Sequence, residues 1–130
     1  MLSDVDTKRF TLSVIVLFVF THIFGMLVHG PLDPMFGTAP SLIVDDGGMV
    51  IVGIKELLLS FIIVYLFTRN YDGTGTGEGV RYGLLVGLLM SIVLFGTLTV
   101  VTVSSVLMLF IVTLIYSIIS GVILSLTYKK

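Results

Sequence analysis

Three side chains with chemistry to offer stand inside otherwise apolar runs of this chain, and a fourth at the end of one. His22 interrupts the run at residues 10–28, His29 follows its end, and Lys55 and Glu56 interrupt the run at 49–68. An imidazole titrates near neutral pH and a desolvated carboxylate can be brought toward it, so His22 with Glu56 could exchange a proton or hold an ion. Imidazoles also ligate the metal of a haem or a chlorin. His22 and His29 lie seven residues apart, on nearly the same helix face, so a bis-imidazole site between helices would need a second subunit or another protein. A structural alternative stands beside both. In it Glu56 pairs with His22 or a hydroxyl, and Lys55 extends its ammonium outward to lipid headgroups. All three readings stay open at the level of sequence.

The elements that must position these groups follow from composition. Of 130 residues, 56% are apolar and only 12% charged, about half the usual charged fraction of a soluble domain. Mean hydropathy is +1.17. Lipid is therefore the expected solvent, and membrane lipid the first expected partner. Net charge is −1 with no basic block, which argues against a nucleic-acid partner. No cysteine is present, which excludes disulfides, thiolate metal sites and a cysteine nucleophile.

A helix needs about 20 mainly apolar residues to cross the hydrocarbon. Four such runs occur, at 10–28, 49–68, 80–100 and 102–127. They lack the alternation of strands. The expected fold is all-α, a bundle of four transmembrane helices forming one membrane domain over residues 1–130. Thr97, Thr99, Thr102, Ser104 and Ser105 mark the expected turn between the last two spans, since hydroxyls there can satisfy freed backbone groups. Lys8 and Arg9 resemble the start of a signal peptide, but the apolar run after them is longer than the usual cleaved segment and no small-residue cleavage site follows.

Orientation follows from the cations. Lys8, Arg9, Arg69, Arg81, Lys129 and Lys130, six of the seven basic residues, fall on one side of a four-span chain. The positive-inside rule makes that side cytoplasmic, with both termini inside. Tyr71, Tyr82 and Tyr128 fall at the same boundary. At 1.5 Å per residue, His22, Lys55 and Glu56 all lie about 9–11 Å in from the opposite boundary, so a His22–Glu56 hydrogen bond is geometrically open.

Other residues carry packing or loop readings. Gly79, Gly83 and Gly87 recur every fourth residue in the third span, and Thr113, Ser117, Gly121 and Ser125 in the fourth. Such stripes let helices approach closely, within one chain or between chains. Tyr116 falls near mid-membrane, and its hydroxyl needs a partner: Ser91, Glu56 or a ligand. In the outer loop, Pro31, Pro34 and Pro40 oppose a regular helix, and Asp33, Asp45 and Asp46 are weak candidates for a divalent cation. Asp45 and Asp46 also suit the start of a helix. The glycine-rich segment at 70–79 lacks the Gly-Lys-Ser/Thr ending of a phosphate loop and reads as a flexible turn.

Tyr71-Asp72-Gly73, then Glu78-Gly79-Val80-Arg81-Tyr82-Gly83 entering the third span, with His29-Gly30 ending the first, resembles an uncharacterised family of small bacterial four-span integral membrane proteins. The likeness is close over about 25 residues and loose over most of the chain. It implies the same four-span bundle, in a bacterial inner membrane, and supplies no activity. It draws notice to Glu78 and Arg81, whose spacing suits an ion pair on one helix face, or a contact to a partner or lipid phosphate. With no Ser-His-Asp set or metal-ligand cluster, no enzyme is expected. The expected role is a non-catalytic subunit or self-assembling bundle that packs with other membrane subunits. The alternatives are an oligomeric transporter or channel using His22, Lys55 and Glu56, or a haem- or chlorin-binding subunit. No cofactor is required by the sequence, and bound lipid is expected.

Overall fold

The computed structural model describes residues 6–29, 46–97 and 103–128. Four helices account for nearly all of them: α1 (Thr7–His29), α2 (Asp46–Asn70), α3 (Thr76–Thr97) and α4 (Val103–Thr127). Each contains a stretch long and apolar enough to cross a membrane, and only 17% to 22% of each such stretch is buried inside the protein. Large apolar side chains such as Leu27, Ile51, Leu85 and Ile92 are more than 60% exposed. In water that surface would drive aggregation; in hydrocarbon it is the proper outer face. The protein is a small multi-pass integral membrane protein, all-α, built as a four-helix bundle.

The ends of the helices differ from the expected spans for local reasons. Asp6 caps α1, accepting hydrogen bonds from the backbone N–H groups of Lys8 at 3.1 Å and Arg9 at 3.2 Å. Its other oxygen pairs with the Arg9 side chain at 3.3 Å. α1 therefore begins before its apolar run. α3 begins at Thr76 rather than at residue 80, because the glycine-rich loop ends sooner than its composition implied. Ser104 and Ser105 lie within the first turn of α4, not in the connecting turn. Residues 99 and 102 lie outside the described residues.

The start of α1, the end of α2, the start of α3 and the end of α4 meet at one end of the bundle. Ser13 donates to the Thr127 hydroxyl at 2.9 Å, since Thr127 spends its own proton on the Ile123 carbonyl. The Tyr82 hydroxyl donates to the Ile63 carbonyl at 2.9 Å. Tyr71 donates to the Ser125 carbonyl at 3.4 Å. The buried apolar core is at this end too: Val14, Leu17, Ile63, Val64, Phe67, Tyr71, Leu124 and Tyr128. No buried large apolar side chain is found among the described residues of the opposite half, where His22 and Glu56 sit.

α3 and α4 make the closest helix contact. A Cβ on Gly79 or Gly121 would fall onto the other residue's carbonyl oxygen, and a Cβ on Gly83 onto that of Ser117. Glycine is required at these crossings because the backbones themselves touch. The carbonyls lie along the partner's Cα–H directions, the arrangement of Cα–H···O contacts. Gly87 faces only side-chain atoms, with a Cβ reaching 3.0 Å from that of Ser117 and 3.1 Å from Leu114. Thr113 lies one turn before Ser117 on α4 and is half-buried.

Candidate functional site

The polar groups of the less densely packed half gather around α1. Residues 21 and 22 project from adjacent positions of this helix, about 100° apart in azimuth. They bind its two neighbours: Thr21 meets α4 and His22 meets α2.

His22 Nδ1 lies 2.9 Å from Glu56 Oε2. The two side chains are 40% and 14% exposed, so the carboxylate is tucked into the seam while the imidazole edge faces outward. The matching depth follows from antiparallel helices with equal rise per residue. Gly25, one turn beyond His22, lies against the carboxylate: a Cβ there would stand at ordinary contact distance, 3.8 Å from Glu56 Oε1. Phe18 lies one turn before His22, its ring centroid 6.2 Å away at an interplanar angle of 27°. With Nδ1 donating to the carboxylate, Nε2 carries the lone pair and is the nitrogen able to ligate a metal or accept a proton. Lys55 is exposed on the same turn of α2 and makes no ion pair among the described residues.

Tyr116 is held by Thr21, a partner not foreseen from the sequence. The hydroxyls are 2.8 Å apart, and Thr21 gives its proton to the Leu17 carbonyl at 2.8 Å, so Tyr116 is the donor to Thr21. Ser91, one of the expected partners, donates to its own helix at the Gly87 carbonyl, 2.7 Å away. Glu56 is taken by His22. The Tyr116 ring stacks on Phe20 at 5.7 Å between centroids and tilts against Phe24 at 5.3 Å, which fixes its approach to α1.

Glu78 and Arg81 form no ion pair. The Glu78 carboxylate turns back over the loop instead. It accepts from the backbone N–H of Asp72 and, at its other oxygen, from the backbone N–H of Thr74 at 3.0 Å and the Thr74 hydroxyl at 2.9 Å. Gly73 and Gly75 adopt φ of 86° and 101°, a region costly for other residues, which lets the chain curl around the carboxylate. The segment expected to be a flexible turn is thus a defined one. Arg81 is exposed.

The structure brings His22 and Glu56 together, and bonds Tyr116 of α4 to Thr21, the α1 residue next to His22. It does not join Lys55 to them. The side chain of His29 lies outside the described residues, as do Asp33 and Asp45; Asp46 opens α2. No group of three or more His, Cys, Asp or Glu side chains able to hold a metal occurs among the described residues. A haem held by two imidazoles finds one described candidate, His22. On the α4 stripe, Ser125 donates to the Val122 carbonyl at 2.7 Å, and the Ser117 hydroxyl is buried without a partner. Asp6, Thr21 and the Ser13–Thr127 pair were missed from sequence. Only the Asp6 cap carries a readable signal, an acidic residue just before the first helical turn. Comparison with known families, with curated proteins and with solved structures finds no match.

Proposed function

We propose that this protein is a non-catalytic subunit of a membrane assembly, packing through the outer half of its α1–α2 face. The observation carrying this reading is the polar group left on a surface that otherwise suits lipid. His22 is 40% exposed at the side chain and Lys55 is exposed, both on spanning helices. Ionisable groups against hydrocarbon are costly, so a protein neighbour covering them stabilises the whole. The small-residue stripes of α3 and α4 meet each other within the chain, so they do not call for a second chain, whereas the exposed His22 and Lys55 do.

The gathered cations and tyrosines support an orientation with the end bearing Tyr71, Tyr82 and Tyr128 at the cytoplasmic headgroups of a bacterial inner membrane and both termini on that side. Native mass spectrometry in mild detergent tests the subunit reading. A complex containing this chain with another chain or with itself is expected, and a lone monomer under conditions that preserve known membrane complexes contradicts it.

One observation favours a second reading. The His22–Glu56 bond joins two helices at depth, and such a pair can pass a proton or an ion within an oligomer. Flux into proteoliposomes should then fall with Glu56→Gln, and unchanged flux removes Glu56 from any transport.

A further inference from the structure

We propose that Arg81 holds the phosphate of an anionic phospholipid whose acyl chain lies along the outer face of α3. The site is separate from the α1–α2 face. The packing of α3 aims residue 81 outward. Tyr82 is tied to α2 through the Ile63 carbonyl at 2.9 Å, and Gly83 is pressed against the backbone of α4. These two neighbours fix the rotation of the helix, and Arg81 is left exposed beside a boundary tyrosine.

The guanidinium lacks a counter-charge within the described residues. Glu78, the acid one turn before it, spends both oxygens on the loop. Asp72 makes no ion pair with it, and no hydrogen bond from Arg81 is found among the described residues. The other arginines differ. Arg9 is paired with Asp6 at 3.3 Å, and Arg69 lies over the Tyr65 ring, 5.5 Å from its centroid. A guanidinium presents a planar fork that meets a phosphate at two points, which an ammonium does not.

The same face of α3 continues as an apolar strip. Leu84, Leu85, Leu88 and Ile92 follow Arg81 at three, four, seven and eleven residues, and all are exposed. Residues 81 to 92 span about 16 Å of helix, close to one leaflet of a hydrocarbon core about 30 Å thick. An unpaired cation heading an apolar strip one leaflet deep has the outline of a single phospholipid. Phosphatidylglycerol brings the phosphate alone. Phosphatidylcholine brings a second cation beside it, which repels the guanidinium.

Native mass spectrometry of the purified protein, given phosphatidylglycerol or phosphatidylcholine at equal concentration, tests this. The unmodified protein should retain phosphatidylglycerol in preference by roughly fivefold, the effect of one cation near an anionic lipid surface. Arg81→Gln should remove that preference and Arg81→Lys should keep part of it. Arg9→Gln, at a residue already paired with Asp6, should leave it whole. Excess inorganic phosphate should not displace the lipid, because the apolar strip holds the chain. Equal retention of the two lipids by the unmodified protein overturns the proposal, and that comparison decides even where a variant fails to fold. A preference untouched by Arg81→Gln, or lipid lost to inorganic phosphate, overturns it as well.

Discussion

At the scale of residues, the His22–Glu56 bond is the contact whose energetics are easiest to isolate. Removing one member leaves the other with an unmet polar group in the membrane, whereas removing both exchanges a polar pair for apolar packing. His22→Leu or Glu56→Leu alone should therefore lower stability by about 1–3 kcal/mol. The double variant should lie closer to the parent than the two losses added. Reversible unfolding in detergent measures all three, and simple additivity would contradict a direct bond. This pair was legible in the sequence because depth follows from counting 1.5 Å steps from each boundary. The partner of Tyr116 was not. Depth could propose Ser91 or Glu56, but the choice of Thr21 depends on how α4 is rotated toward α1, which span counting does not contain. Likewise Glu78 read as an ion-pair partner for Arg81, because helix spacing describes neighbours along one helix and not a loop curling back over its own carboxylate.

At the scale of elements, the seam of α3 and α4 is a backbone contact, so its glycines should respond in a graded way. Gly83→Ala and Gly121→Ala push a methyl into a carbonyl and should cost about 1–3 kcal/mol or more. Gly87→Ala meets only side chains and should cost less, and Gly53→Ala, with nothing within 4 Å, should cost little or nothing. Thermal unfolding of the purified protein ranks them, and equal effects at Gly83 and Gly53 would contradict the packing described. The four-residue spacing showed which residues share a face. It left open whether the facing helix belonged to the same chain, because periodicity describes one helix at a time. The loop before α3 makes a separate prediction. Glu78→Ala strips the N–H groups of Asp72 and Thr74 of their acceptor and should weaken the turn by about 1 kcal/mol. It should speed amide hydrogen exchange there, with α1 unaffected.

At the scale of the whole molecule, the buried apolar core lies at one end and polar bonds tie the other. The tyrosine end holds Phe67, Leu17 and Leu124 in one buried cluster with Tyr71 and Tyr128, while α1 reaches its neighbours in the opposite half through His22 and Thr21. The four-helix class was legible from the length and greasiness of the runs. This division was not, because each span is apolar all round and its composition does not say which residues turn inward.

The central claim, four crossings with the cationic ends gathered on the cytoplasmic side, is tested most directly by cysteine accessibility in intact cells. Thr74→Cys in the glycine-rich loop and Lys130→Cys at the terminus should both resist an impermeant thiol reagent, and both should react once the membrane is opened. Labelling of one from outside while the other stays protected would contradict the account.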